Sequence, residues 1–363
     1  MLAVRPWQNL YIHVPFCSRK CGYCAFYSEA GKEPLMRPWL DKIESELAVL
    51  QGQSIHTVYI GGGTPTLLPE NLLEELLEKI SGLNLDALEI SIECNPETLT
   101  LGKAAILGRY VNRVSLGIQS FNAAFRKRIG RCGDPAKVRP AFELLRENGL
   151  DNLSCDLIYG LPGQTCADWE RDLREALTLP VKHLSAYSLT VEEGTPLSRD
   201  FRPGPSTDVI TWKMEKTAHR ILKEAGVRRY EISNYALPEF ECRHNQNVWH
   251  GETYLGLGPA ACSFDGRDRY TQVSDTVRWL DGAGPETDPV DDATRQAEML
   301  MMGLRTVRGW AKGEFERAAG IAPEAFRSGQ IAVLRRKKWM KSKSLALTCR
   351  GLDFWNDAAL ELL

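Results

Sequence analysis

Stretches rich in β-branched and aromatic residues recur along the chain: QNLYIHV (8–14), HTVYI (56–60), ALEISIE (87–93), RVSLGIQ (113–119), NLSCDLI (152–158) and HLSAYSLT (183–190). Their lengths and makeup predict six strands. The segments between them carry a helical period instead. Leu40, Ile43, Leu47 and Leu50 step by three and four, the spacing of one buried helical face, and Leu72, Leu73, Leu76, Leu77 and Ile80 do the same after Pro69. Thr165 is placed to cap a helix carrying Trp169, Leu173 and Leu177, and a longer helix is expected from about Thr207 to a stop at Gly226. One interval conflicts with the pattern: Asp134-Pro135 opens a helix, but Pro140 falls inside it and should kink or delay it.

Six parallel strands joined by crossover helices form either an open doubly wound sheet or a partial (β/α) barrel. The unusual residues decide between the two. His13 to Cys17, GGGTPT (61–66), Glu93, Gln119, Asp156 and Tyr187 each fall at or just past the C-terminal end of a different predicted strand. Barrel sites are built on that rim, where strand ends converge and loops are free to vary. Contributions from all six strands favour an α/β fold with a partial (β/α)6 barrel. After Leu280 the chain turns polar (DGAGPETDPVDD), and a helical segment, ATRQAEMLMMGLRTV, follows. The expected organisation is a barrel over 1–281, a linker over 282–292 and a small, mainly helical domain over 293–363. Met299, Met301 and Met302 are expected in a core, and the basic run RRKKWMKSK (335–343) on a solvated face.

Charge and composition remove several functions. A formal net charge of -2 and a pI near 6.4 leave no electrostatic footprint for nucleic acid. The N-terminus, MLAVRPWQNL, lacks a long apolar region. No stretch approaches the ~18 apolar residues of a membrane span, so a soluble, cytoplasmic protein is expected. Ten cysteines in such a chain point to metal binding or catalysis rather than to a disulfide framework.

Three of those cysteines, Cys17, Cys21 and Cys24, stand together in CSRKCGYC, just after the first strand. A closed metal site takes four ligands, so three thiolates fit two arrangements. In one, Cys17, Cys21 and Cys24 hold a [4Fe-4S] cluster and leave one iron open to a small molecule with an amine and a carboxylate, such as S-adenosylmethionine. In the other they hold a structural zinc, with His13 as fourth ligand. Gly61, Gly62 and Gly63 end an apolar strand, where three residues without side chains weaken packing unless a backbone or a ligand must come close. Glu93 is a carboxylate near the barrel mouth, suited to ribose hydroxyls or an ammonium group. Asp156 and Arg131 are suited either to the same region or to pairing with each other.

These residues together resemble the radical S-adenosylmethionine superfamily, in the branch that contains the oxygen-independent coproporphyrinogen III oxidases and the HemW-type haem chaperones. YIHVPFCSRKCGYC, GGGTPT, ECNP, GIQSF, DLIYGLPGQT and YEISNYA follow in family order and at family-like spacing. The resemblance implies that Cys17, Cys21 and Cys24 hold the [4Fe-4S] cluster and that Tyr11, Gly63 and Glu93 lie against cluster-bound S-adenosylmethionine. It implies that Tyr23, Thr64, Pro65, Gln119, Arg131 and Asp156 line the same region. The chemistry it implies is reductive cleavage of S-adenosylmethionine to a 5'-deoxyadenosyl radical.

Within the branch, the oxidases carry a further cysteine directly after the cluster motif, whereas Ala25 and Phe26 follow here, as in the chaperone subgroup. With 16 residues before Cys17, the oxidases' longer N-terminal segment is not expected here. CRHNQNVW (242–249) resembles the chaperones' haem-binding HNxxYW motif, which makes His244 the leading haem contact, supported by Asn245 and Trp249. Val248 stands where the subgroup has Tyr, Cys132-Gly133 replaces a residue pair that ends in His, and Cys262 stands where the subgroup has His; either the two cysteines ligate haem iron instead, or the haem site has degenerated. The expected function is haem chaperoning: haem is bound alongside the cluster and S-adenosylmethionine and delivered to an acceptor such as a respiratory enzyme, through transient contact with a membrane-bound partner. The alternative is an enzyme that oxidatively decarboxylates coproporphyrinogen III.

Overall fold

Strand β1 (Asn9–Val14) shows how the alternating pattern is used: Leu10, Ile12 and Val14 are fully buried against helices, while Asn9, Tyr11 and His13 take the opposite face. The computed structural model describes residues 6–363 apart from Asn84 and Cys132, and apart from the side chains of Ala87, Pro205 and Ser206. β2 (Ile55–Gly62), β3 (Leu85–Cys94), β4 (Arg113–Gln119), β5 (Leu153–Tyr159) and β6 (His183–Ser188) follow β1 in parallel and in sequence order. Beyond β6 the sheet continues antiparallel with β7 (Arg228–Arg229) and β8 (Asn234–Ala236), in the order β6-β8-β7. On the other side β9 (Tyr254–Leu257) runs parallel to β1 and is extended by β10 (Cys262–Phe264), β11 (Arg269–Thr271) and β12 (Glu286–Asp288). The order starts and ends on different strands, so the sheet does not close. The fold is a partial (β/α)6 barrel.

Six crossover helices cover the apolar face: α1 (Met36–Leu47), α2 (Glu70–Ser81), α3 (Leu101–Tyr110), α4 (Val138–Glu147), α5 (Cys166–Ala176) and α6 (Pro205–Glu224). α5 opens with the expected cap, elaborated into a capping box in which Thr165 and Asp168 satisfy each other's backbone N–H. Pro140 does not kink its helix. A 3-10 turn over Pro135–Lys137 delays α4, which puts Pro140 in the first turn, where a missing N–H costs nothing. A further short helix, α7 (Arg243–Trp249), packs against β1, β2 and β3.

The segment 282–292 departs from the expected linker, because Glu286–Asp288 pairs with β11 as an edge strand. All three of its residues are exposed, so no buried periodicity marks it. The C-terminal helices Asp292–Leu304, Pro323–Arg336 and Trp355–Leu362 gather a second apolar core around Leu300, Trp310, Phe315 and Leu334. Met299 joins that core; Met301 and Met302, expected with it, are only half-buried.

Strand register sorts the residues opposite the helices into polar rows. Asn9 lies beside Thr57, and Thr57 beside Glu89. Tyr11, Tyr59, Ser91 and Arg113 form the next row, and nearer the strand ends Glu93 aligns with Ser115 and Ser154, and Gly117 with Asp156 and Ser185. Closed barrels fill this space with branched apolar side chains. Here it is lined by hydrogen-bonding groups, which fits it to hold ligands.

Candidate functional site

The cysteine loop is stitched to the strand ends by backbone bonds. Phe16–Cys17 forms a short parallel ladder with Glu29–Ala30. Between them Gly22 donates its N–H to the Ile129 carbonyl (2.9 Å) and accepts from Leu197 N–H (2.8 Å), while Cys24 N–H closes a turn onto the Cys21 carbonyl (3.2 Å). Tyr23 packs into a small apolar cluster of Phe125, Ile129, Ile158, Leu161 and Leu197. This leaves Cys17, Cys21 and Cys24 as free, half-buried thiols on one loop. Cys17 Sγ lies 3.6 Å from Thr64 Oγ1, and Arg131 Nη1 points at Cys21 Sγ from 3.9 Å. Burial pushes the Cys24 thiol up from its ordinary value, so a metal that takes it as thiolate displaces a proton.

The three glycines at the end of β2 each meet a different neighbour. A Cβ on Gly61 would lie 2.9 Å from the Glu93 carboxylate carbon, one on Gly62 2.5 Å from the His13 ring, and one on Gly63 2.6 Å from the Phe16 carbonyl oxygen. Gly63 and Thr64 donate their N–H groups to the carbonyls of Val14 (2.7 Å) and Phe16 (2.8 Å), and buried Pro65 then turns the chain away. Close approach is therefore the reason for the glycines, as the sequence suggested, but what approaches is the protein's own backbone and side chains.

Glu93 accepts from Tyr59 O–H (3.0 Å) and from Gly62 N–H (3.1 Å). Burial, and then the neighbouring Asp156 charge, push its carboxyl up to about 7. Asp156 accepts from Ser115 on both oxygens (3.0 and 2.8 Å) and from Ser154 (3.1 Å). Asp156 and Arg131 form no ion pair among the described residues; Arg131 donates instead to the Gly117 carbonyl (2.6 Å). A register shift late in β4 accompanies φ +65° at Gln119, and its amide nitrogen and the Arg131 guanidinium lie side by side over Gly117, each 3.1 Å from where a Cβ there would stand.

His244 lies in a different place. With Tyr11, Asn245, Val248, Trp249 and Cys262 it lines a cavity of about 340 Å³ beside the barrel, edged by the exposed Phe26. Burial pushes its imidazole down to about 4, with Glu89 opposing and Arg113 adding to the effect, so the ring is neutral at physiological pH. Tyr59 stands between the two regions: its hydroxyl reaches Glu93, and its ring lies 5.3 Å from that of His244. The Arg305 guanidinium covers the Trp249 ring at 4.9 Å.

The family model described as the Radical SAM superfamily matches residues 11–176. The heme chaperone HemW of Lactococcus lactis subsp. lactis is 32% identical over 363 aligned positions, covering 96% of each chain. That of Escherichia coli is 34% identical over 337 positions, covering 89% of each. The chain belongs to the radical SAM superfamily, in its HemW-type branch. Among solved structures, the coproporphyrinogen III oxidase HemN of Escherichia coli, a radical SAM enzyme, matches 99% of this chain and 90% of its own with a TM-score of 0.84. At 20% identity that likeness shows the shared fold.

Radical SAM proteins take a [4Fe-4S] cluster and S-adenosylmethionine, and the residues on the rim fit this pair better than zinc. A single ion at about 2.3 Å from each sulfur needs ligand atoms close together. Among the described residues, the one trio with ligand atoms within 4.8 Å of one another is Glu215, His219 and Asp353, not the cysteines. That trio is an ion-pair network: Arg229 donates to Glu215 (3.1 Å) and Asp353 (3.4 Å), and Lys216 pairs with Asp353. His13 is also occupied, with Nδ1 on Tyr11 O–H (3.0 Å) and Nε2 on the Tyr27 carbonyl (2.9 Å). Conversely, Gln119 Oε1 and Arg131 Nε are buried without hydrogen-bond partners. An unmade bond of this kind costs about 1–3 kcal/mol, and a polar ligand bound beside the thiols would supply the partner.

Of the residues singled out from sequence, Cys17, Cys21, Cys24, Thr64, Gln119 and Arg131 thus cluster at the loop, Glu93 and Asp156 sit on the adjoining strand ends, and His244, Asn245 and Trp249 form a separate wall. Tyr11 lines the second region. Cys132 lies outside the described residues. Thr57, Tyr59, Glu89 and Arg113 were missed, although polar residues at alternate positions of otherwise apolar strands signal them.

Proposed function

We propose that the protein is a cytoplasmic haem chaperone: it binds haem in the cavity walled by His244, Asn245 and Trp249, and passes it to a haem-requiring acceptor such as a respiratory enzyme. The observation that carries this reading is a neutral, buried imidazole lining an aromatic-walled cavity in a chain whose relatives, at 32% and 34% identity, are named heme chaperones. No helix among the described residues is long and apolar enough to cross a membrane, so contact with a membrane-bound acceptor would be peripheral. Cys262 is exposed on the same cavity, with Sγ 3.4 Å from Thr271 Oγ1, and is a second candidate ligand in place of the family's histidine.

Cys17, Cys21 and Cys24 would hold the cluster, with Tyr23 and Pro65 fixing the loop and the turn behind it. Gly63, Thr64, Gln119, Arg131, Glu93 and Asp156 would face S-adenosylmethionine, and Tyr11 would separate it from haem. Bound together, the two cofactors supply reductive carbon–sulfur bond cleavage. The test is haem retention: anaerobically reconstituted protein is expected to keep about one haem per chain, seen as a Soret band, through gel filtration. His244→Ala should lose it, and Cys262→Ala should shift the band if Cys262 is a ligand. A wild-type protein that emerges without haem, or that converts coproporphyrinogen III to a vinyl-bearing product, sinks the reading.

Glu93 carries a pH prediction. Ribose hydroxyls or an ammonium group favour the ionised carboxylate, whereas the free protein holds a proton there up to about pH 7. S-adenosylmethionine affinity should therefore be full above pH 7 and fall by up to about tenfold per pH unit below it. Calorimetric titration of Glu93→Gln should give weaker binding with no such slope; an unchanged slope would remove Glu93 from the site.

A further inference from the structure

The hydrogen bonds behind His244 have only one consistent polarity. At their far end Asn9 Nδ2 reaches the Thr253 carbonyl (3.0 Å) and the Glu252 carboxylate (3.2 Å). Both accept and neither donates, so the Asn9 amide nitrogen must face them and its Oδ1 must face the other way. There Oδ1 accepts from Asn247 Nδ2 (3.0 Å) and from the Thr57 hydroxyl (2.7 Å). Thr57 has one proton, and it is committed to Asn9. The 2.8 Å contact between Thr57 Oγ1 and His244 Nδ1 must therefore be donated by the imidazole. Nδ1 carries the ring proton, and the lone pair resides on Nε2.

Nε2 makes no hydrogen bond among the described residues, and His244 lines the 340 Å³ cavity. The relay is rigid: Asn9 is 0% exposed and Thr57 1%, and the two are register partners on β1 and β2. Metal-binding histidines as a class donate their second N–H to an acceptor that fixes the tautomer and raises the basicity of the ligating nitrogen.

We infer that Asn9 and Thr57 are positioning residues that fix His244 as its Nδ1–H tautomer and present Nε2 to the cavity as the atom that binds haem iron. The second half rests on the proposed haem site; the first half does not. Two measurements separate them. Long-range proton–nitrogen NMR on haem-free, 15N-histidine-labelled protein, with the resonance assigned by His244→Gln, should show an Nδ1–H, Nε2-lone-pair ring in wild type and in Thr57→Ser. Thr57→Val keeps the shape but removes the acceptor, and should shift the ring toward the Nε2–H tautomer. The haem-loaded protein should then bind haem about 10–100-fold more weakly in Thr57→Val than in wild type, with Thr57→Ser close to wild type and cluster content equal in all three. An Nε2–H ring in wild type overturns the inference without recourse to any variant, as does a Thr57→Val tautomer identical to wild type. The expected tautomers in a protein that retains no haem would leave the relay standing and overturn both the iron-binding half and the haem-chaperone reading.

Discussion

Gly63→Ala is expected to deprive the protein of its [4Fe-4S] cluster while all three cysteines remain. The added Cβ would lie 2.6 Å from the Phe16 carbonyl oxygen and 2.8 Å from that of Val14, and neither can give way as a flexible side chain does. Both oxygens are already acceptors of the N–H groups of Gly63 and Thr64, which tie the end of β2 to the strand that delivers Cys17. Relieving the clash means moving Phe16, and Cys17 moves with it. Overpacking of this kind costs about 1–3 kcal/mol in stability. The larger effect falls on geometry, because a cluster needs its three sulfurs in place together. Iron and acid-labile sulfide measured after anaerobic reconstitution should fall to background, as in Cys17→Ser. Gly284→Ala serves as the control, since a Cβ there meets nothing within 4 Å. Full cluster loading in Gly63→Ala would mean that the loop is not registered by this contact.

The barrel was legible because its strands state both of their faces. In β1 and β4 apolar residues alternate with polar ones, and the apolar set alone is enough to place the helices. The cysteine loop was legible because three thiols at that spacing have few uses. The wall behind His244 was not, because it is assembled from three strands and a seven-residue helix that are distant in sequence: Asn9 and His244 meet through Thr57 across more than 180 positions. The exposed edge strand at 286–288 was hidden for a simpler reason, since it buries no side chain and so leaves no periodic trace. The Asp156–Arg131 pairing was a fair guess from charge, but serine hydroxyls around Asp156 and the Gly117 carbonyl on Arg131 satisfy the two groups separately.

Glu89→Ala is expected to destabilise the haem-free protein by about 3–5 kcal/mol, the cost of leaving a buried charge without its partner. Glu89 is 3% exposed and accepts from Arg243 N–H (2.8 Å), His244 N–H (3.2 Å) and Ser91 O–H (3.0 Å), so its two oxygens hold the first turn of α7 against β3. It also opposes, at longer range than an ion pair, the charge of Arg113, which is 2% exposed, has an unpartnered Nε and among the described residues makes one long bond, to Ser91 (3.4 Å). Glu89→Gln should recover little, because an amide nitrogen would face one of the two backbone N–H groups. Urea unfolding of the single variants, of Arg113→Met and of the double variant Glu89→Gln/Arg113→Met measures the coupling directly. Removing both charges should restore part of the lost stability, since the buried pair itself contributes little against an apolar replacement. Haem retention should not return with it, because the first turn of α7 would still lack its carboxylate and His244 would no longer be held on the Thr57 hydroxyl. A double variant that regained haem along with stability would show Glu89 to be a charge partner only, with no part in setting the histidine.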